Sequence, residues 1–298
     1  MAHSIGLSAR TTDIHAARDA ATAQTSIGVA ARNCALLKWS DSALKASATS
    51  WFVVAVLGQM MFVVYLFGFY GRAAIQGQLT AWNDVIPHGF VVGATAHNVV
   101  IAMHLAFAAL IQIAGAAQLI TGVRRRFPTF HRWNGRVYLL SACVMSVGGL
   151  VMVWTGSGVG DLSQHIAISI DALLILVCAA LVLRHAMARR FATHRQWALR
   201  LFLVVSGVWF FRLALTFWIV ANHGAVGFDP HSFTGPALTF IVFAEYVIPL
   251  AVLELYFRAQ ASHSPPLRFA MAACLGALTL LTAAGVVTAA MLLWLPHL

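Results

Sequence analysis

Histidine is the side chain best suited to ligate haem iron or to pass protons near neutral pH, and four histidines of this chain fall into two matched sets. His104 lies 20 residues before Arg124, and His165 lies 19 before Arg184. At 1.5 Å per helical residue, each therefore sits roughly 30 Å along a helix from a cluster of arginines. His131 and His194 stand just beyond those clusters, and each is followed at once by an arginine. One segment reads Arg125-Arg126-Phe127-Pro128-Thr129-Phe130-His131-Arg132-Trp133, and the other Arg189-Arg190-Phe191-Ala192-Thr193-His194-Arg195-Gln196-Trp197. Both contain R-R-F-x-T, then H-R, then a tryptophan. Two pairs of histidines at two depths are what two stacked haem groups would need. Equal depth is necessary for a pair to face and insufficient to prove it.

Three further ionisable residues lie in the outer third of apolar stretches, with His104 and His165: Asp171, Arg212 and Glu245. Charge within a membrane span is costly, so such residues usually face the protein interior and have a task. Arg212 lies 18 residues after His194, five helical turns on and hence on the same face. The acids are the partners expected for it. The alternative is an anion clamp, on a haem propionate or an anionic substrate, through the guanidinium fork. Around His104, the helix-wheel neighbours Ala108, Gly115 and Gln118 are small or polar. Such a face suits either a flat macrocycle or close helix packing.

The elements that must position these residues are membrane helices. Of 298 residues, 60% are apolar and 9% charged, against about 25% charged in soluble domains. Seven stretches approach the ~20 apolar residues a spanning helix needs: 48–69, 98–121, 137–154, 165–183, 197–221, 238–257 and 269–295. Their continuous apolarity argues against a β-barrel. With the N-terminus in the cytoplasm, 17 of the 19 Lys and Arg residues fall on the cytoplasmic side, as the positive-inside rule requires. The net charge of +10 thus reports topology rather than a nucleic-acid partner. The four cysteines form no C-x-x-C pair, so neither a disulfide framework nor a cysteine metal site is expected. Residues 1–46 read as a polar, disordered cytoplasmic tail, and 47–298 as the transmembrane bundle with its core at 98–221. The expected fold is an all-α polytopic bundle of about seven helices, N-terminus in and C-terminus out. Its second to fifth helices form a four-helix core of two duplicated hairpins.

The segment His131-Arg132-Trp133-Asn134-Gly135-Arg136-Val137-Tyr138 has the form H-R-x-x-G-R-x-Y. With His104 upstream and His194, Arg195, Trp197 and Arg212 downstream, it resembles a bacterial family of predicted membrane proteins, domain of unknown function 2306. That resemblance covers roughly 98–221. It implies a polytopic membrane protein, and no reaction. The helix and histidine layout is also similar to the cytochrome b-561 class, in which histidine pairs on alternate helices of a four-helix core hold two haems. That likeness rests on placement.

The sequence therefore leads to a b-type cytochrome-like electron-transfer protein of the bacterial inner membrane. His104 and His165 would hold an outer haem b, and His131 and His194 an inner one. Arg212 would balance a propionate, and a quinol or small reductant would be the partner, as in a transmembrane oxidoreductase. Two other readings stay open. One is a cofactor-free transporter or channel built on Asp171, Arg212, Glu245 and His104. The other is a membrane scaffold without catalysis. His131 and His194, with Arg132 and Arg136, also suit a headgroup layer of anionic lipid.

Overall fold

The computed structural model describes residues 5–86, 89–155 and 160–298, with side chains described from Arg32 onward except Asn33. In lipid every backbone polar group must be satisfied within the segment, which leaves a continuously apolar chain the helix. The elements are α1 (Ile5–Tyr65), a π turn (Leu66–Gly71), α2 (Arg72–Ile75), a 3-10 turn (Leu79–Asp84), α3 (Thr95–Leu119), α4 (Thr121–Arg126), α5 (Pro128–Trp154) and α6 (Leu162–Met187). They continue with α7 (Phe191–Val205), α8 (Gly207–Ala221), α9 (Pro236–Ala261) and α10 (Pro265–Ala289). A π turn (Ala290–Trp294) and a final 3-10 turn (Leu295–His297) close the chain. Among the described residues there is no strand, only an isolated bridge between Asp229 and Thr234.

Six helices are long and apolar enough to cross a membrane: Cys34–Ile75, Thr95–Leu119, Pro128–Trp154, Leu162–Met187, Pro236–Ala261 and Pro265–His297. The pair α7 and α8, bent by 47° at Ser206, passes the same test together, which gives up to seven candidate crossings among the described residues. These match the seven stretches read from the sequence. The fifth, expected as one straight run over 197–221, is broken. Ser206-Gly207 explains the break: Gly/Ser pairs are common kink sites, and the Ser206 hydroxyl donates back to the Phe202 carbonyl at 2.7 Å. The helix α1 also continues back to Ile5, through the segment that reads as a polar tail.

Helix starts follow local chemistry. Pro128, Pro236 and Pro265 open α5, α9 and α10, where a missing N–H costs nothing. Asp161 caps α6 by accepting from the Gln164 N–H at 3.0 Å. Large apolar side chains such as Leu57, Phe240 and Leu280 point outward, Leu280 being 74% exposed, as a lipid-facing surface requires.

The chain divides into two units. One gathers the described part of Met1–Ser50 with Tyr256–Ala277; there Asp41 pairs with Lys45 at 2.5 Å and lies 3.8 Å from Arg268 Nη1. The other gathers Trp51–Leu255 and Leu278–Leu298 and holds every residue discussed below. Its core has two clusters. One is aromatic, with Phe62, Tyr65, Tyr70, Trp82, Trp209 and Trp294. The second is built from Ile111, Tyr138, Cys178, Leu201 and Tyr246 with small residues between them.

Within this unit α3 packs against α5, α5 against α6, and α6 against α7, while α7 touches α3. The four helices therefore form a ring, with α3 and α6 on one diagonal and α5 and α7 on the other.

Candidate functional site

The ring sets the addresses of the four histidines. His131 on α5 and His194 on α7 share one diagonal at the arginine-rich end, while His104 on α3 and His165 on α6 share the other diagonal towards the opposite end.

At the arginine-rich end the two hairpins are built alike. Phe127 caps α5 and Arg190 caps α7 with similar backbone angles, φ −129°, ψ 67° and φ −88°, ψ 70°. In each, the cap carbonyl accepts from the histidine N–H four residues on, at 3.0 Å for His131 and 2.9 Å for His194. In each, an arginine three residues after the tryptophan stacks on its ring at 4.6 Å: Arg136 over Trp133, and Arg200 over Trp197. This shared construction supports the internal repeat. Arg200 additionally pairs with Glu254 at 2.6 Å.

The motif residues position His131. Asn134 donates to the Ala114 carbonyl at 2.9 Å, and Gln118 donates to the His131 carbonyl at 2.8 Å. A Cβ on Gly135 would lie 3.3 Å from Gln118 Nε2, so the glycine leaves room for that amide. Tyr138 is buried against Gly115 of α3. Arg132 is exposed and reaches only Thr129. His194 Nδ1 lies 3.0 Å from the Val182 carbonyl. A carbonyl can only accept, so Nδ1 carries the proton and Nε2 keeps a free lone pair. His131 Nδ1 is buried with no hydrogen-bond partner among the described residues. The two imidazoles are within electrostatic range of each other.

On the second diagonal the histidines have separate surroundings. The His165 ring meets Trp154 edge-on at 6.1 Å, and its Nε2 is buried without a partner among the described residues. Trp154 is itself held by its Nε1–H on Ser169 at 3.0 Å. His104 is half-buried and lies in the field of Arg212.

Arg212 stands over the Phe62 ring at 5.3 Å and donates to the Val208 carbonyl at 3.2 Å. Tyr65, Tyr70 and Glu245 are also within its electrostatic range. It makes no ion pair within 4.0 Å among the described residues, so the direct pairing with Asp171 or Glu245 that the sequence suggested is not formed. The physical reason is the bend: α8 turns away at Ser206 and aims Arg212 at the aromatic cluster of α1 instead.

The acids meet each other. Asp171 of α6 and Glu245 of α9 are each 6% exposed. A Cβ on Gly207 would lie 3.2 Å from Asp171 Oδ2 and 3.3 Å from Glu245 Oε1. Both carboxyls therefore converge on the first residue of α8. Beside them, Gln59 of α1 donates to Ser206 Oγ at 3.1 Å. Sequence reasoning missed Gln59, Ser206, Gly207, Tyr65 and Tyr70. The signals available were a glutamine inside an apolar span and a Ser-Gly pair in the middle of another.

Outside the spans, the Ser163 hydroxyl and Gln164 N–H hold the Asp161 carboxyl below the usual carboxylate range. The His231 N–H and Ser232 hydroxyl do the same for Asp229 in the loop before α9.

Residues 101–230 match the model of a family described as Predicted membrane protein (DUF2306). This chain is a membrane protein. The matched region runs from α3 through the bent span and takes in His104, His131, His165 and His194, the motif and Arg212. No curated protein and no solved structure matches the chain.

Proposed function

We propose that this membrane protein is a b-type cytochrome-like electron carrier of the bacterial inner membrane, with its N-terminus in the cytoplasm and its C-terminus outside. The observation that carries the reading is the pair His131 and His194. They come from diagonal corners of a four-helix ring, lie within each other's electrostatic range, and one of them has its tautomer set by a backbone carbonyl. A histidine whose Nδ1–H is held by a carbonyl presents Nε2 to a metal in a fixed orientation, which is the usual outer support of a metal-bound imidazole.

The residues present fit haem b best at this arginine-rich end. His131 and His194 would hold it, and the neighbouring arginines supply positive charge for its propionates. The second pair fits in part: His165 offers a buried, unpartnered Nε2, and His104 sits on the diagonal helix with Arg212 as a nearby cation. Bound there, haem b supplies one-electron chemistry, with a potential set by its ligands and their burial. The chain's own residues hold the imidazoles in place, exclude water and balance charge. A quinol or another small reductant would donate on one face.

The test is an oxidised and dithionite-reduced absorption spectrum of the purified protein, with a pyridine haemochrome assay for stoichiometry. One haem per chain, lost in His194→Ala and kept in His104→Ala, supports the arginine-rich pair alone. Two haems, with one lost in each variant, support both diagonals. A colourless protein from cells supplied with ample haem overturns the reading.

A further inference from the structure

We propose that Asp171 and Glu245 form a membrane-embedded proton-binding pair that holds one proton between two carboxyls at the broken start of α8. The inference does not depend on haem binding.

The argument starts from placement. Asp171 is nine residues into α6 and Glu245 nine residues into α9, so both lie about 13 Å along their helices from the end at which those helices begin. The Cβ position of Gly207 is in contact distance of an oxygen from each acid. Those two oxygens are thus at most about 6.5 Å apart, a separation at which like charges disfavour each other's ionisation. Both side chains are nine-tenths buried, and no Lys, Arg or His lies within 4.0 Å of either among the described residues. Two bare carboxylates cannot share such a site without a compensating cation.

Charge balance sets the number of protons. The titratable and charged groups within range of the pair are Arg212 on α8, Tyr246 on α9 and Cys178 on α6, while α1 contributes the neutral Gln59. Arg212 in turn faces His104, Tyr65 and Tyr70. Arg212 offsets one negative charge, so one proton on the pair leaves the group neutral.

A second set of observations points to a ligand at this place. Among the described residues Asp171 Oδ1 is buried and has no hydrogen-bond partner, and neither has Gln59 Oε1, whose residue is fully buried. The amide nitrogen of Gln59 donates to Ser206 Oγ at 3.1 Å and not to Asp171 or Glu245. Two unpartnered acceptors beside a helix start are short of donors, and a carboxyl proton is a donor. Gly207 opens α8, which places the positive end of that helix beside the two carboxyls. That end favours the charge left when the proton departs.

The experiment follows the carboxyl C=O stretch by infrared difference spectroscopy of the full-length protein in nanodiscs, titrated with pH in H2O and D2O. The wild type should show one protonated carboxyl per chain at neutral pH that ionises at alkaline pH. In Glu245→Gln and in Asp171→Asn, the remaining acid loses its like-charged neighbour and should ionise at least tenfold more readily, one pH unit lower. Burial acting on each acid separately would leave that midpoint where it was, which would overturn the pairing. Gly207→Ala keeps both acids and puts a methyl group against an oxygen of each, so it should shift the midpoint even where the single variants fold poorly; an unchanged midpoint there counts against the proposal. Exchange of sodium for choline should leave thermal stability unaltered. A sodium-dependent gain present in the wild type and absent in Asp171→Asn would mean a metal-cation site and overturn the proton reading.

Discussion

Replacing Gly115 by alanine should destabilise the ring at the point where it positions His131. A Cβ at Gly115 would lie 3.0 Å from Tyr138 Cε2, 3.4 Å from Tyr138 Cζ and 3.5 Å from Phe202 Cδ2. Carbon pairs are at ease at about 3.5–4.0 Å, so the Tyr138 ring would have to retreat by roughly half an ångström. It has nowhere to go, being 5% exposed and enclosed by Ile111, Cys178, Leu201 and Tyr246. Overpacking of this kind costs about 1–3 kcal/mol. Alanine returns about 1 kcal/mol over glycine in a helix interior. Gly148, on α5 of the same ring, has nothing within 4 Å of its Cβ position, so Gly148→Ala should show the propensity gain alone. The expected difference between the two variants is therefore about 1–3 kcal/mol, with Gly115→Ala the less stable. Melting of both purified variants in one detergent, read by loss of the monodisperse chromatographic peak, measures it. Adding Tyr138→Leu to Gly115→Ala should recover part of the loss, as coupled neighbours do. A Gly115→Ala protein that melts at or above Gly148→Ala would refute the close approach of α3 and α5.

Two further outcomes are expected. Ser206→Ala should cost about 1–3 kcal/mol because it strands the buried Gln59 amide, whereas Gln59→Leu, which removes that amide together with its orphaned oxygen, should be nearly neutral; comparing the two melting temperatures checks this. Asp161 and Asp229 are held below the usual carboxylate range by hydrogen bonds to the ionised form. A depressed folded pKa contributes stability that is fully present above the unfolded value of about 4 and is lost as pH falls through the folded value. Protection of the Gln164 amide against hydrogen exchange, taken relative to its intrinsic rate, should therefore fall below about pH 4, and Asp161→Asn should flatten that dependence while keeping the cap.

Much of the architecture could be read from residues. Six of the seven apolar stretches are single helices of spanning length and the fifth is a bent pair, because in hydrocarbon the backbone can satisfy itself only locally and length plus apolarity then decide. The paired H-R segments pointed to a repeat, and the structure supports it through matching caps and matching Trp–Arg stacks. The spacing of His104 and His165 gave their depth but not their direction, since facing depends on how α3 and α6 are rotated within the ring. Arg212 was read as the partner of Asp171 or Glu245 because all three are charged and intramembrane. Chain position gives no rotation about the helix axis, and the span bends at Ser206 before Arg212 is reached, with the guanidinium over the Phe62 ring.

The sequence by itself determined what is set by composition and short-range periodicity: an all-α membrane protein, the approximate location of its apolar helices, and the chemistry available at each depth. The tertiary structure alone decided which groups meet. Packing order placed the histidine pairs on the diagonals of a four-helix ring. Gly207, by lacking a Cβ, let carboxyls 74 residues apart in the chain converge on one helix start. Such meetings depend on interhelix rotation and close approach, which are fixed by contacts between distant segments and leave no trace in the local pattern of either one.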